Sequence, residues 1–201
     1  VPELLAGLVA ALEAGRASLP LLTLVAVGGA RTPPTLIERA RALGLPVRQG
    51  YGLTELGSVV ALEDGGEEPG SVGLPLSHVG LAIAADGEVL LDAPLALGTL
   101  CGRLFERPFP TGDIGRLGGD GRLWIEGRKS NVIVTAHGRN VSPEWLEGLL
   151  LAQPAVAQAF VHGDGLAFPE ALLVPAARGS DLAAAVASVN AGLPAYARIA
   201  A

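Results

Sequence analysis

Side chains that can stack, accept hydrogen bonds or hold a cation occur in three short stretches. These are Gly28-Gly29-Ala30, Gln49-Gly50-Tyr51-Gly52-Leu53-Thr54-Glu55 and Thr111-Gly112-Asp113. Tyr51 offers a flat ring face for stacking, and Thr54 offers a hydroxyl. Glu55 is a hard oxygen ligand for a cation, and the Asp113 carboxylate can accept two hydrogen bonds at once. The first stretch has no large side chain, so its backbone can approach a ligand closely.

The first two stretches follow the strands of a predicted βαβ unit. The patterns predict a helix that begins at Pro2 and ends before Gly15, followed by a strand over Leu21–Val27. A second helix is predicted next, with Thr32 as its cap, Pro33 in its first turn and Gly44 after its end. A second strand is predicted over Pro46–Gln49. The two strands are therefore parallel, and both glycine turns lie at the edge where open α/β sheets bind ligands. Either glycine turn taken alone also fits an ordinary turn.

The rest of the chain predicts a β-rich middle and a small mixed domain, so the fold class is α/β, α+β overall. Predicted strands cover Val79–Ala84, Glu88–Leu91, Ile114–Leu117, Arg122–Glu126, Val132–Thr135, Ala155–His162 and Ala171–Val174, with hairpin turns at Asp86-Gly87 and Asp120-Gly121 and helices opened by Ser142-Pro143 and near Asp181–Ala191. The charged turn over residues 126–130 is the predicted boundary, which gives domains 1–127 and 128–201.

Composition excludes several classes of protein. Half of the 201 residues are hydrophobic, which supports a packed core. The net charge of −6 argues against a nucleic-acid partner, and no apolar run is long enough for a transmembrane segment. Cys101 is the one cysteine, so an intrachain disulfide is impossible and a reducing, cytoplasmic location is expected.

Six motifs in order resemble the adenylate-forming (AMP-binding) superfamily, most closely acyl-CoA synthetases and fatty-acid–CoA ligases. Beyond the three stretches above, the supporting motifs are Gly70-Ser71-Val72-Gly73-Leu74-Pro75, Gly127-Arg128-Lys129 and Gly138-Arg139-Asn140-Val141-Ser142-Pro143-Glu144. A single Tyr-Gly-x-Thr-Glu is a weak signal, whereas six ordered motifs that span nearly the whole chain are specific. The resemblance implies the end of a large AMP-binding domain followed by a small, mobile C-terminal domain that stops before its terminal lysine.

The resemblance implies a role for each of these residues. Tyr51 would stack on adenine, Asp113 would hold the ribose hydroxyls, and Arg128 would contact the ribose or a phosphate. Thr54 and Glu55 would be catalytic, with Thr54 near the phosphate and Glu55 holding the magnesium that accompanies ATP. The remaining nucleotide-binding residues would be Gly28, Gly29, Ala30, Gln49, Gly50 and Gly52.

Each of these residues also has a simpler interpretation. Tyr51 fits a partly buried tyrosine with a hydrated hydroxyl. Glu55 fits a first-turn glutamate favoured by the helix dipole. Asp113 fits a turn residue, and Arg128 fits a solvated charge in a linker.

The resemblance also implies a hinge after Arg128, about which the small domain swings between the two half-reactions. The pivot in such enzymes is typically aspartate or lysine, but here Ser130 stands in its place. The loop at Gly138 would line the path of the incoming thiol. His137 fits either a base in that loop or a solvated histidine.

The function implied is ligation of a carboxylic acid, fatty or aryl, to CoA or an acyl-carrier thiol through an acyl-adenylate. The ligands would be ATP or AMP, Mg²⁺ and CoA as co-substrate. A long or branched acid, and hence fatty acid metabolism, is expected from the run Gly-Arg-Asn-Val-Ser-Pro-Glu-Trp, which is similar to that of some acyl-CoA synthetases.

The lysine content predicts that the chain alone is inactive, and one alternative function stays open. The resembling enzymes use a phosphate-binding loop with a lysine and a second lysine near the C-terminus, whereas Lys129 is the one lysine here. The sequence has no methionine, so we expect that Val1 is not a translation start and that the chain is a fragment, inactive alone. The alternative is a non-catalytic nucleotide- or partner-binding module. A phosphate loop encoded upstream of Val1 would favour the enzyme fragment, and a nearby start codon the module.

Overall fold

The computed structural model describes residues 1–65, 70–99, 102 and 104–200, so Cys101 lies outside the described residues. The chain divides into two compact units, Val1–Ile125 and Glu126–Ala201. Each unit contains helices and strands, and the predicted α/β class is confirmed. No helix among the described residues is both long and apolar enough to cross a membrane.

The first unit opens with the predicted βαβ unit. Its elements are α1 (Pro2–Glu13), β1 (Val25–Val27), α2 (Pro34–Ala42) and β2 (Val47–Tyr51). Strands β1 and β2 are parallel, with Val25 opposite Val47 and Val27 opposite Gln49. Apolar residues of both helices and both strands pack into one cluster that includes Val9, Val27 and Ile37. Burial of these apolar surfaces holds the helices against the strands.

Strand β1 is shorter than predicted, because the run from Leu21 to Leu24 does not join the sheet. The pairing with β2 begins at Val25, whose N–H donates to Pro46 O at 2.9 Å. Residues 21–24 are therefore not paired with β2, and Leu21 is 90% exposed. The apolar run was misread as a buried strand because hydrophobicity alone does not show where a pairing partner begins.

The prediction that Thr32 caps α2 is wrong. The helix begins at Pro34, its N-cap residue is Pro33 with ψ 129°, and no side chain caps it. A residue that precedes proline is pushed into extended conformations. Thr32 and Pro33 both precede a proline, so the helix starts one residue later than predicted. The Thr32 hydroxyl is buried and has no hydrogen-bond partner among the described residues.

Strand β2 continues through Tyr51 instead of ending at Gln49. It pairs antiparallel with β3 (Ala61–Leu62), and β3 pairs with β4 (Leu74–Pro75), in a sheet of order β1-β2-β3-β4. Tyr51 lies opposite Ala61, and its carbonyl accepts from the Val60 N–H at 2.8 Å. Tyr51 therefore lies at the end of a strand, where its backbone is fixed, and not in a turn.

A second four-stranded sheet forms the β-rich middle. Its strands are β5 (Gly80–Ile83), β6 (Glu88–Asp92), β7 (Phe109–Leu117) and β8 (Leu123–Arg128), in that order across the sheet. The predicted turns at Asp86-Gly87 and Asp120-Gly121 are confirmed, with φ of 87° at Gly87 and 84° at Gly121. Strand β7 begins five residues earlier than predicted (Phe109 rather than Ile114), so Asp113 lies inside a strand and not in a turn. Residues of both sheets share a buried cluster that includes Val60, Leu91 and Leu123.

The second unit is a small α+β structure. After a 3-10 turn at Lys129–Asn131 it contains β9 (Ile133–Val134), β10 (Asn140–Val141), α3 (Pro143–Leu151), β11 (Val156–His162), β12 (Glu170–Pro175) and α4 (Leu182–Ala191). The predicted cap of α3 is confirmed, since Ser142 Oγ accepts from the Trp145 N–H at 3.2 Å. The predicted helix near Asp181–Ala191 is confirmed as α4, whose N-cap is Asp181. A cluster that includes Leu146, Leu150 and Val189 forms the core.

The segment over residues 126–130 is not the turn that its charge predicts. Strand β8 runs on through Arg128, and the 3-10 turn begins at Lys129. The division between the two units falls between Ile125 and Glu126. Strand pairing therefore extends past the charged residues, and we keep domains 1–127 and 128–201 as a proposal.

Candidate nucleotide site

Two glycines allow β1 and β2 to converge at the edge of the first sheet. A Cβ atom on Gly28 would lie 2.7 Å from the carbonyl oxygen of Gly50, closer than any side chain tolerates. Gly29 has φ +80°, a conformation that favours glycine. The missing side chain at Gly28 therefore allows the two strands to approach each other, in addition to the close approach of a ligand that the sequence predicts.

A pocket of about 560 Å³ opens at this edge. The residues that line it are Val1, Ala26, Val27, Gly28, Gly29, Gly50, Tyr51, Gly52, Leu53, Thr54, Gly57, Ser58, Val59 and Leu62. The lining includes six of the residues predicted to bind nucleotide, namely Gly28, Gly29, Gly50, Tyr51, Gly52 and Thr54. It does not include Ala30, Gln49, Glu55 or Asp113. Apolar side chains and glycine backbone make up most of the wall.

Tyr51 and Asp113 meet although 62 residues separate them in the sequence. The Tyr51 hydroxyl donates to Asp113 Oδ2 at 2.5 Å. Asp113 is only 4% exposed, and its N–H donates to Thr111 Oγ1 at 3.0 Å. The Thr111 hydroxyl in turn donates to Val89 O at 2.8 Å. An aromatic ring at the pocket wall is thus joined to a carboxylate that the second sheet holds in place.

Thr54 and Glu55 lie on a tight connection after β2. The connection is a 3-10 turn, Thr54–Leu56, followed by Gly57 with φ 76° and Ser58 with φ 99°. Any side chain on Gly52 would overlap the carbonyl oxygen of Ser58, so the chain folds back on itself at this point. The carbonyl of Glu55 accepts from the Ala96 N–H at 2.7 Å. Thr54 is exposed and Glu55 is half-buried.

Magnesium would have a single protein carboxylate at this turn. Among the described residues, no group of three or more His, Cys, Asp or Glu side chains is arranged to hold a metal ion. Mg²⁺ commonly keeps several waters and binds through one or two carboxylates plus substrate phosphates. The half-buried Glu55 fits that mode of binding.

Gln49 and Ala30 do not line the pocket. The Gln49 side chain is buried, its Nε2 donates to Ser71 O at 3.2 Å, and its Oε1 has no partner in the described part of the chain. Ala30 is exposed. Sequence reasoning missed the residues that hold Gln49 in place, the buried Glu63 and Arg41. The signal for Glu63 was a carboxylate that ends the apolar run Val59-Val60-Ala61-Leu62.

The other predicted residues belong to the second unit. Arg128 ends β8, and Ser130 lies in the 3-10 turn, where its hydroxyl donates to Asn131 Oδ1 at 3.0 Å. Gly138, with φ 70°, turns the chain between β9 and β10. These residues are grouped around the start of the small unit, whereas the residues of the pocket all belong to the first unit.

The N-terminus of α3 clamps the segment that contains Ser130. Ser142 Oγ donates to Glu126 O at 2.7 Å, and Asn131 Nδ2 donates to Glu144 Oε1 at 2.6 Å. A Cβ on Gly127 would lie 2.8 Å from Glu144 Oε2. The segment is therefore tethered to α3 on both sides of residues 128–130.

The chain belongs to the AMP-binding enzyme family. The family model described as AMP-binding enzyme matches residues 1–103. The model described as AMP-binding enzyme C-terminal domain matches residues 130–201. The predicted resemblance is thereby confirmed.

Curated relatives include ligases of fatty and of aryl acids. The long-chain-fatty-acid–CoA ligase FadD15 of Mycobacterium bovis is 38% identical over 154 residues, which cover 73% of this chain and 26% of that protein. The 2-succinylbenzoate–CoA ligase of Bacillus subtilis is 35% identical over 158 residues, which cover 69% of this chain and 32% of that protein. The chain therefore spans only about a quarter to a third of these relatives.

Solved structures share the fold over almost the entire chain. The o-succinylbenzoate CoA synthetase (MenE) of Bacillus subtilis in complex with the acyl-adenylate intermediate OSB-AMP matches with a TM-score of 0.83 and 28% identity, over 97% of this chain and 44% of that one. The same enzyme in complex with ATP and magnesium ion matches with a TM-score of 0.80 and 29% identity, over 98% and 45%. The match therefore extends to less than half of each solved chain.

Proposed function

We propose that this chain is part of an ATP-dependent ligase that joins a carboxylic acid to CoA or an acyl-carrier thiol by way of an acyl-adenylate. The observation that carries the proposal is the Tyr51–Asp113 pair beside the glycine-lined pocket. The family membership and the ligases among its relatives support it.

The pocket fits the adenosine part of the nucleotide. Adenine stacks on the ring of Tyr51, with the bare backbone of Gly28 and Gly29 close by. The ribose hydroxyls donate to Asp113, because a carboxylate has about four acceptor positions and can accept two hydrogen bonds at once. Arg128, from the second unit, adds a contact to the ribose or to a phosphate.

The turn after β2 serves the phosphates. The Thr54 hydroxyl and nearby backbone N–H groups donate to phosphate oxygens. Glu55 gives magnesium one oxygen ligand, and the metal neutralises phosphate charge when it is bound. The contribution of the protein is to orient the acid and the nucleotide and to stabilise charge at the α-phosphate.

The second unit serves the thioester step. A pivot at Ser130 lets it move between adenylation and thiol transfer, and the loop at Gly138 lines the thiol path. The acceptor is CoA or a carrier-protein thiol. The acid is fatty or aryl, as supported by relatives of both kinds, with a long or branched acid and fatty acid metabolism favoured by the motif at Gly138. A cytoplasmic location is part of the same proposal.

The second candidate function is a nucleotide-binding module without catalysis. Lys129 is the one lysine in the sequence, whereas the reaction concentrates negative charge on the α-phosphate and needs preorganised cations there. Loss of one such donor typically costs about a hundred- to a thousand-fold in rate. We therefore expect this chain alone to bind nucleotide without detectable adenylation.

Calorimetric titration of AMP tests the proposed site. We expect the chain to bind AMP and Asp113→Ala to weaken binding by roughly 1–2 kcal/mol, the scale of one charge-assisted hydrogen bond. Asp92→Ala is the matched control, because its side chain is 59% exposed and forms a surface ion pair with Arg107. Equal affinity of Asp113→Ala and the unmodified chain would show that Asp113 does not hold the ribose.

Exchange of labelled pyrophosphate into ATP, with magnesium and a panel of fatty and aryl acids, tests catalysis. No exchange is expected from this chain alone. Clear acid-dependent exchange would contradict the expectation that a chain with one lysine is inactive, and would point to a phosphate site built from its arginines.

A further inference from the structure

A carboxylate lies inside the first unit where an apolar side chain would be expected. Glu63 directly follows β3 and is 5% exposed. Its Oε2 accepts from the Gln49 backbone N–H at 2.6 Å and from Arg41 Nη2 at 2.7 Å. A buried carboxylate is costly unless it is paired and hydrogen-bonded. The first contact is to β2, the strand that ends at Tyr51, and the second is to α2.

Glu63 holds both backbone groups of Gln49. Its own N–H donates to Gln49 O at 2.9 Å, while its side chain accepts from the Gln49 N–H. The β2–β3 ladder, which pairs Gly50 with Leu62 and Tyr51 with Ala61, is thus extended by one residue. In this added pair, a carboxylate takes the place of a backbone carbonyl.

Arg41 ties the same point to α2. Its Nη2 donates to Val47 O at 3.2 Å as well as to Glu63 Oε2. One guanidinium therefore connects the last turn of α2, the start of β2 and the end of β3. Arg41 and Glu63 thus bind the backbone of β2 at Val47 and at Gln49. Both points lie immediately before Gly50, the first residue of β2 that lines the pocket.

The ladder between β2 and β3 is short, and besides the contacts of Glu63 it is supported by the bond from the Val60 N–H to Tyr51 O and by the tight connection at Gly52. Strand β3 has two residues, and Gly50 has no side chain to pack against its neighbour. Register is weakly specified in glycine-rich strands, and a slip of one residue turns every side chain to the opposite face. Such a slip would carry the ring of Tyr51 away from the pocket and from Asp113.

We propose that Glu63, with Arg41, is a positioning pair that fixes the β2–β3 register and so holds Gly50 and Tyr51 in place for the nucleotide. The inference rests on the proposed nucleotide site. Glu63 touches no ligand in this proposal, and it acts through the backbone of Gln49.

The test compares Glu63→Leu, Glu63→Gln and the matched control Glu13→Leu in the full chain. Glu13 forms an ion pair with Arg39 on the surface of the same unit, with side chains 41% and 58% exposed. AMP affinity is measured calorimetrically at a temperature where each variant is folded. Amide hydrogen exchange at Val60 and Glu63 reports the β2–β3 ladder without any nucleotide.

Glu63→Leu is expected to weaken AMP binding about tenfold, the scale of one hydrogen bond to a charged group, and to speed exchange at Val60 and Glu63. Glu63→Gln is expected to stay within about threefold of the unmodified chain, because its amide oxygen still accepts from Gln49. Glu13→Leu is expected to change neither reading.

Two results overturn the inference. One is a folded Glu63→Leu variant with unchanged exchange at Val60 and Glu63. The other is faster exchange with AMP affinity unchanged, which would make the pair purely structural. If the unmodified chain does not bind AMP, the proposed function fails, and the exchange data alone then decide whether Glu63 fixes the register.

Discussion

At the scale of single residues, Tyr51 combines two interactions that can be separated by mutation. Tyr51 lines the pocket, and its hydroxyl donates to Asp113. We expect Tyr51→Phe to keep AMP affinity within about threefold, since the ring remains, and Tyr51→Leu to lose roughly tenfold, the scale of one stacking contact. Calorimetry of the two variants measures this, and equal losses in both would mean that the hydroxyl matters more than the ring.

The hairpin residue Asp120 gives a prediction about pH. The Arg122 N–H and the Arg122 guanidinium both donate to its carboxylate and hold its pKa below the usual 3.8. A carboxyl group whose pKa is lowered by folding stabilises the fold above the unfolded pKa and stops doing so as the pH falls through the folded value. Denaturant unfolding should therefore show a larger difference between the unmodified chain and Asp120→Asn at pH 6 than below pH 3. A difference that does not depend on pH would contradict this assignment.

The sequence predicted part of the lining of the candidate pocket, and it did not predict the contacts around it. Tyr51, Thr54 and the glycines could be identified because local motifs carry them, and all of them line the pocket. The bond from Tyr51 to Asp113 could not be identified, because it depends on how two sheets pack. The Thr32 hydroxyl, which has no hydrogen-bond partner in the described part of the chain, was predicted to cap α2, because the sequence pattern does not show that the two prolines after it shift the start of the helix.

At the scale of elements, the convergence of β1 and β2 depends on Gly28. We expect Gly28→Ala to lower the free energy of unfolding by about 1–3 kcal/mol, the usual cost of overpacking, and to weaken AMP binding, because the strands must separate at the pocket. Gly7→Ala is the control, since nothing lies within 4 Å of a Cβ at that position in α1. That substitution should instead stabilise the chain by about 0.5–1 kcal/mol. Thermal unfolding and AMP titration measure both effects, and an unchanged Gly28→Ala variant would show that the strand contact tolerates a methyl group.

The clamp at α3 predicts how the segment around Ser130 behaves. We expect Glu144→Ala to release Asn131 and to speed cleavage after Lys129 by a lysine-specific protease, because the tether on one side of the turn is lost. Glu170→Ala, on β12, should cleave at the unmodified rate. Cleavage that is no faster in Glu144→Ala would mean that the clamp does not limit this segment.

Strand and helix types were predictable, but their ends were not. The glycine turns and the Ser142 cap marked element boundaries because those residues have local preferences. The ends of β1, β2, β7 and β8 follow from where a partner strand begins or stops, as at Val25 opposite Val47. Such limits depend on non-local pairing, which alternation of hydrophobicity does not report.

At the scale of the whole molecule, each unit has a hydrophobic core of its own. We expect the single cut after Lys129 to yield fragments 1–129 and 130–201 that both stay folded, since no described core cluster has members in both units. Circular dichroism of the separated fragments, summed and compared with the uncut chain, measures this. Loss of helical signal in either fragment would show that the units depend on each other for stability.

The exposed turn at Lys129–Asn131 also makes the protein convenient for spectroscopy. Its lysine carries the only side-chain amine in the sequence. An amine-reactive fluorophore would therefore attach there and at the terminal amine alone, with no engineered cysteine. The anisotropy decay of such a dye would report how fast this turn reorients. Adding nucleotide or thiol to the same sample would show whether either ligand slows that motion.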